Sequence, residues 1–120
     1  MAKIMPSVNP EIMEKLIALG GKPFLKKMLH LFLENSTLKI QEASDGLRQN
    51  DYSLAERSFH SIISSAGNIG AERLMSLARE AELSTKKPDH NEVLDRLEKL
   101  KKEFELVKTS VEEIQKEYQL

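Results

Sequence analysis

Apolar residues recur at steps of three and four along most of the chain, and this spacing constrains the fold more than any other feature of the sequence. A stripe of this kind is the buried face of an amphipathic helix. Two long stripes stand out, one formed by Leu25, Met28, Leu29, Phe32, Ser36, Ile40, Ala43 and Leu47, the other by Leu94, Leu97, Leu100, Phe104, Val107, Val111, Ile114 and Tyr118. No alternating run of Val, Ile or Thr competes as a strand, so the chain is predicted to be all-α.

Residues that start and stop helices divide the chain into five helical segments. Asn9, Asp51 and Asp89 are suited to cap the helices that follow them, because their side-chain oxygens accept backbone N–H groups. Breaks are expected at Gly20-Gly21, between Gly46 and Asp51, at Gly70, and in a polar connection over 84–91 that contains Pro88. The two shorter stripes are Ile12, Leu16 and Leu19 in the first helix, and Ala71, Leu74, Leu77, Ala78 and Ala81 in the fourth.

Short connections between long helices place neighbouring helices antiparallel. Residues 1–120 are therefore predicted to form one domain, an antiparallel up-down-up-down four-helix bundle with a short N-terminal helix packed across one end. The stripe of the last helix has a heptad-like spacing, which is typical of intramolecular core or of a dimeric coiled coil. We interpret it as core and expect a monomer.

The composition excludes several classes of protein. The chain has no cysteine, which excludes disulfide scaffolds, thiolate zinc sites and cysteine nucleophiles. It has no tryptophan, and 18 basic residues against 19 acidic ones give a net charge of −1, which is not typical of a nucleic-acid-binding domain. The first residues, Met1 to Pro6, do not resemble a secretory signal, and no apolar run approaches the ~20 residues that span a bilayer. We expect a cytoplasmic protein without membrane insertion.

The third helix carries a histidine with unusual neighbours. On a helical wheel with about 100° per residue, the buried face lies about 180–260° from His60 and comprises Ala55, Phe59, Ile62, Ala66 and Ile69. Four small or polar residues lie within about 40° of His60, namely Ser53, Glu56, Ser64 and Gly67. The imidazole is therefore predicted to stand at the centre of the solvent face, accessible to a partner.

Small residues near His60 also have a plainer interpretation, because they let helices pack closely or mark a fraying helix end. Ser61 and Ser65 lie on the flank toward the core, where they suit packing. Ser64 and Gly67 lie opposite the core, where packing within one chain explains them less well.

Residues 60–71 read His-Ser-Ile-Ile-Ser-Ser-Ala-Gly-Asn-Ile-Gly-Ala. This stretch resembles the histidine-containing phosphotransfer (HPt) domain of two-component phosphorelays, and the matching positions are His60, Ile62, Ser65, Gly70, Ala71, Leu74 and Glu82. The Gly-Ala pair is the more specific part of the pattern. The short first helix, the long second helix with Phe32, and Asp51 before the histidine helix also have counterparts in the family.

Two positions depart from the family pattern. The family's lysine, three residues after the histidine, is Ile63 here, and the glycine after it is Ser64. Ile63 cannot place positive charge beside a phosphoryl group, so Arg57, about 60° from His60 on the wheel, is the candidate cation. Arg57, Ile63, Ser64 and Gly67 are expected to form the binding surface around the phosphoacceptor. Ile63 and apolar parts of the first helix are its candidate contact patch.

The resemblance implies a phosphorelay intermediate. A receiver domain of a response regulator would dock on this face, neutral His60 would attack the phosphorus of its aspartyl phosphate, and the phosphoryl group would pass to a second receiver. The implied partners are receiver domains and a hybrid sensor histidine kinase, with Mg²⁺ in the receiver and no cofactor in this chain. The alternative is an HPt-fold interaction module that binds a kinase or receiver without being phosphorylated.

Other kinds of chemistry find less support in the sequence. No G-x-x-x-x-G-K motif is present, so kinase activity of its own is not expected. His30 is expected at the surface or its boundary, and His90 in a solvated loop beside Asp89. Neither histidine has the neighbours of a metal-binding pair, so no metal site is predicted. No group of residues favours a hydrolytic enzyme.

Overall fold

The computed structural model describes residues 7–87 and 89–120. Within them the chain forms four helices and no strand: α1 (Pro10–Arg48), α2 (Tyr52–Asn68), α3 (Glu72–Ser84) and α4 (His90–Glu117). Each helix packs against the next along the chain, and α1 also packs against α4, which closes the ring. The predicted all-α, antiparallel up-down-up-down four-helix bundle is confirmed.

Two expectations fall outside the described residues, namely the comparison of residues 1–6 with a secretory signal and the position of Pro88. Among the helices of the described chain, none combines the length and the apolar character needed to cross a membrane.

The first two predicted helices are joined into one long helix with a kink. Gly21 has φ 78° and ψ −175°, a non-helical conformation that favours glycine, so the helical backbone is interrupted where the sequence predicted a break. Pro23 is tolerated just after the kink because the backbone N–H it lacks has no partner in a first turn. Asn9 caps the segment before the kink by accepting from the Glu11 N–H at 3.0 Å, as predicted.

The segment before the kink, residues 10–20, packs across one end of the bundle at the turn between α2 and α3. The Asn9 N–H donates to the Gly70 carbonyl at 2.9 Å. Gly70 has φ 73°, and a Cβ there would lie 2.8 Å from Ile12 Cγ1. Glycine at this position therefore provides both the turn and the room for the short segment.

Most residues of the predicted stripes lie in the core or pack against it, but Leu77 is only partly buried, and Leu19 and Leu94 are exposed. Leu19 is 78% exposed, and Met13 is buried instead. Leu19 lies at the end of that segment, just before the kink, and its side chain projects into solvent. Leu94 is 41% exposed, and Val93 is fully buried in its place. Periodicity alone cannot decide between Val93 and Leu94. They lie four and three residues before Leu97, and both spacings suit a helical stripe.

α1 ends at Arg48, within the break that the sequence predicted between Gly46 and Asp51. Gly46 lies buried where α2 begins, and a Cβ there would lie 3.0 Å from the Asp51 carbonyl oxygen. The absence of a side chain lets the start of α2 approach α1 closely. Asp51 then caps α2 by accepting from the Leu54 N–H at 3.0 Å.

Candidate functional site

His60 lies in the middle of α2, on the face that points away from the bundle. Its side chain is 70% exposed, whereas Phe59 and Ile62 on the same helix are fully buried. The structure places the imidazole on the solvent face of α2, where the helical wheel predicted it.

The carboxylate of Glu82 on α3 orients this imidazole. The distance between His60 Nδ1 and Glu82 Oε2 is 2.8 Å, and Glu82 is 23% exposed. Because an ionised carboxylate accepts hydrogen bonds and does not donate them, Nδ1 carries the proton in this pair. In the neutral ring the lone pair then lies on Nε2. Glu82 therefore determines which ring nitrogen carries the lone pair.

Glu82 is a site residue that the sequence reasoning missed. It matches the family pattern, but its separation of 22 residues from His60 does not indicate contact. The contact follows from the antiparallel packing of α2 and α3, which a single-helix wheel does not describe. The match of Glu82 to the pattern was the available signal.

A second ion pair joins Glu56, one helical turn before His60 on α2, to Lys86, which follows the end of α3. Lys86 Nζ lies 2.5 Å from Glu56 Oε2. The hydrogen bond and charge of Lys86 lower the pKa of Glu56. Glu56 in turn raises the pKa of Lys86, with a smaller contribution from Glu82. Lys86 therefore brings positive charge to the His60 face, which the sequence did not predict.

Arg57 and Ser64 lie on the opposite flank of His60, toward α1. Arg57 Nη1 donates to Ser53 Oγ at 3.4 Å, one turn toward the start of α2. This bond directs the guanidinium along the helix, away from His60. Ser64 is exposed and small, so this flank leaves the imidazole open to an approaching protein.

Ile63 and Gly67 lie on the flank toward α3. Ile63 is partly buried and packs against the core. A Cβ at Gly67 would lie 3.3 Å from Met75 Sδ on α3, so Gly67 makes room for that side chain. Gly67 therefore has a packing role within the chain, which the sequence pattern favoured less.

An open groove runs between α1 and α2 beside the Ser64 flank. Its volume is about 300 Å³, and its lining residues are Met28, Leu31, Phe32, Asn35, Ser65, Asn68 and Ile69. Asn35 Nδ2 donates to Ser65 Oγ across the groove, so Ser65 packs between the helices as expected. Leu31 is 47% exposed and gives the rim an apolar character.

The other two histidines stand apart from this site. His30 is exposed and lies 3.0 Å from Glu34, one turn along α1. His90 is the first residue of α4 and not part of a loop, and its Nδ1 lies 2.9 Å from the Tyr52 hydroxyl. Within residues 7–87 and 89–120, no group of three or more His, Asp or Glu side chains is placed to hold a metal ion.

An antiparallel four-helix bundle with an exposed histidine in the middle of its second helix agrees with the resemblance to a histidine phosphotransfer domain. The family model described as Hpt domain matches residues 27–117, and the chain belongs to this family. The family supports a phosphotransfer role in two-component systems, as a phosphocarrier module that serves receiver domains.

The structure is also similar to the crystal structure of histidine-containing phosphotransfer protein B (HptB) from Pseudomonas aeruginosa PAO1. The TM-score is 0.87 at 18% sequence identity, and the match covers 96% of this chain and 99% of that chain. At this identity the likeness establishes the fold. No curated protein matches the chain.

Proposed function

We propose that the chain is a phosphorelay intermediate in which His60 accepts a phosphoryl group from a receiver aspartate and passes it to a second receiver. The observation that carries this proposal is the state of the His60 ring. Its side chain is 70% exposed, and its Nδ1 is bonded to Glu82 at 2.8 Å. Nε2 is thereby left with the lone pair that nucleophilic attack requires.

The transfer step needs only this nitrogen and a correctly placed donor. Nε2 attacks the phosphorus in line, the N–P bond forms, and the aspartyl O–P bond breaks with its electron pair remaining on the aspartate. The imidazole ring gains positive charge as its lone pair is used. The carboxylate of Glu82 stabilises that charge through the Nδ1–H hydrogen bond. Transfer to the second receiver is the reverse of this step.

Phosphoryl transfer depends mainly on positioning and on neutralising charge. In our proposal the receiver supplies Mg²⁺ and the acidic pocket around its own aspartate. This chain supplies the nucleophile, its orientation and a docking surface, and it needs no cofactor of its own. A hybrid sensor histidine kinase is the proposed source of the phosphoryl group.

The proposed docking surface comprises the exposed face of α2 and the apolar rim of α1 beside it. Leu31 lines the groove between these helices. Leu38 follows it by seven residues, so it lies on the same side of α1, and it is 55% exposed. A receiver seated over His60 would cover both leucines. Ile63 on the other flank completes the contact patch that the sequence suggested.

Phosphotransfer is tested by incubating the full chain with a panel of receiver domains phosphorylated with acetyl phosphate. We expect acid-labile, alkali-stable phosphate on this chain, and none on the variant His60→Gln. Label that persists in His60→Gln contradicts His60 as the phosphoacceptor. Stable binding of receivers without any label supports the interaction module instead.

Docking is tested separately, by measuring receiver affinity for Leu38→Asp. We expect at least tenfold weaker binding, because a buried carboxylate replaces an apolar contact. The matched control is Leu106→Asp on α4, since Leu106 is 58% exposed and α4 lies across the bundle from α2. Equal affinity for the two variants would contradict docking over α1 and α2.

A further inference from the structure

The surroundings of His60 pose an electrostatic problem for a phosphorylated ring. Glu56 lies one turn away on the same helix, and Glu82 contacts the imidazole directly. A phosphoryl group adds about −1.5 to −2 charges at neutral pH. Ile63 is the residue on the α3 flank that lies closest to His60 in the sequence. Its side chain is apolar and supplies no positive charge. A cation on this flank has to come from another element.

Lys86, which follows the end of α3, is a cation that the fold brings close to Glu56 and Glu82. We propose that Lys86 exchanges its ion pair with Glu56 for the phosphoryl oxygens once His60 is phosphorylated, and so acts as the neutralising residue of the phosphorylated state. This inference rests on the proposed function in one respect, since it requires a phosphoryl group on His60.

Lys86 has only a short distance to move in this exchange, because the two pairs are neighbours. Antiparallel packing sets His60 opposite Glu82 and Glu56 opposite Lys86, which follows the end of α3. Glu56 and His60 lie one turn apart, about 5.4 Å along α2. Lysine has a flexible four-carbon side chain, and Lys86 is 60% exposed, so its ammonium can swing by that distance through solvent.

The energetics favour the exchange. An exposed ion pair such as Lys86–Glu56 contributes little to stability, so little is lost when it opens. A phosphoryl dianion attracts an ammonium more strongly than a carboxylate does at the same distance, because it carries more charge. Glu56 and Glu82 also raise the pKa of Lys86, so its ammonium stays charged at neutral pH.

Arg57 is less suited to this role, although the sequence made it the candidate cation. It lies on the α1 flank, and its guanidinium donates to Ser53 at 3.4 Å, on the side away from His60. In a complex, the α1 flank is also where the proposed receiver approaches. Lys86 lies on the α3 flank and leaves that approach open.

The test uses the full chain phosphorylated with potassium phosphoramidate, which labels histidine without any receiver. A pH titration followed by ³¹P NMR gives the midpoint of the last ionisation of the phosphoryl group. We expect Lys86→Gln to raise this midpoint by about half a unit, because a nearby cation favours the dianion. Lys86→Arg should keep the native midpoint. Lys87→Gln, the same loss of charge at the next residue, should change it by less than about 0.1 unit.

A double-mutant cycle separates exchange from a simple through-space effect. Glu56→Gln releases Lys86, so it should lower the midpoint more in the native background than in the Lys86→Gln background. Ile63→Lys places a cation on the same flank and should restore the midpoint in Lys86→Gln. Circular dichroism checks that each variant is folded.

The outcomes are distinguishable. An unchanged midpoint in Lys86→Gln, or equal shifts in Lys86→Gln and Lys87→Gln, overturns the role of Lys86. Additive effects of Glu56→Gln and Lys86→Gln overturn the exchange. Labelling by phosphoramidate without transfer from any receiver contradicts the proposed function alone, and the titration still decides the role of Lys86. If phosphoramidate does not label His60, both proposals are wrong.

Discussion

The contact between α2 and α3 and the contact between α1 and α4 differ in the kind of side chains that form them. Two polar pairs at the rim join α2 to α3 and to the residues that follow it, with His60 Nδ1 2.8 Å from Glu82 Oε2 and Lys86 Nζ 2.5 Å from Glu56 Oε2. Between α1 and α4 the most prominent contact is aromatic, with the ring centroids of Phe32 and Phe104 6.0 Å apart.

The α2–α3 contact therefore bears on the chemistry of His60, and the α1–α4 contact bears on the stability of the fold. The α2–α3 pairs are exposed, so each contributes little to the free energy of unfolding, but together they set the tautomer and the charge around His60. Phe104 is 5% exposed, and a buried aromatic side chain contributes several kcal/mol. Substitutions in the two contacts are therefore expected to change different properties of the protein.

The largest effect on stability is expected from Phe104→Ala. Loss of the ring leaves a cavity between α1 and α4 and lowers the free energy of unfolding by about 3–5 kcal/mol. Urea denaturation measures this loss, with Leu106→Ala as the control, since Leu106 is 58% exposed. The folded fraction of Phe104→Ala should be labelled by phosphoramidate at the native rate. A slowed rate would show that the two contacts are not independent.

Gly70→Ala probes the end of the bundle near the α2–α3 turn. The added Cβ would lie 2.8 Å from Ile12 Cγ1 and would occupy a backbone with φ 73°. Strain and displacement of the short N-terminal segment should together lower the free energy of unfolding by about 1–3 kcal/mol. Thermal unfolding followed by circular dichroism measures this change. Native stability in Gly70→Ala would mean that the segment is only loosely docked.

Two substitutions at Glu82 test the α2–α3 contact without a large effect on stability. Glu82→Gln keeps an oxygen that accepts from Nδ1–H but loses the negative charge, so phosphorylation by phosphoramidate should slow about tenfold, equivalent to ~1.4 kcal/mol. Glu82→Ala also removes the acceptor, and the His60 ring should shift toward the tautomer with the proton on Nε2. ¹⁵N NMR of the imidazole reports the tautomer. Identical ¹⁵N shifts in the native protein and Glu82→Ala would contradict the orienting role of Glu82.

The sequence could predict the features that depend on a single helix. Phe59 and Ile62 are buried and His60 is exposed, as the regular helical periodicity of α2 predicts. That part of the prediction needs no knowledge of the neighbouring helices. The roles of Glu82 and Lys86 depend on which helices pack together and at what register. A wheel of α2 does not contain that information, so the positive charge was assigned to Arg57.

The same limit applies to the glycines. From the sequence alone, Gly46 suits a helix break and Gly67 suits an open surface. In the fold, each of them makes room for a particular neighbouring residue. A Cβ at Gly46 would lie 3.0 Å from the Asp51 carbonyl oxygen, and one at Gly67 3.3 Å from Met75 Sδ. Close approach between helices is a property of the packed bundle, whereas the positive φ of Gly70 belongs to a local break that the sequence predicted at this residue.

The smallest expected effect is a pH dependence at the α3–α4 contact, where Glu103 lies 3.1 Å from Arg73. Burial raises the pKa of Glu103 above its usual value of 4.5, and the Arg73 charge opposes this shift only in part. The folded chain therefore binds the Glu103 proton more tightly than the unfolded chain does. Between pH 4.5 and the folded-state pKa, the contribution of Glu103 to the free energy of unfolding falls as pH rises.

Two substitutions should change this dependence in opposite directions. Glu103→Gln cannot ionise, so its stability relative to the native protein should increase as pH rises through that window. Arg73→Gln removes the charge that favours ionised Glu103, so its stability relative to the native protein should decrease over the same window. Urea denaturation from pH 4 to pH 7 measures both differences. Parallel curves for the three proteins would mean that Glu103 is as well solvated as the carboxylates at the α2–α3 rim, and the contrast between the two contacts would not extend to α3 and α4.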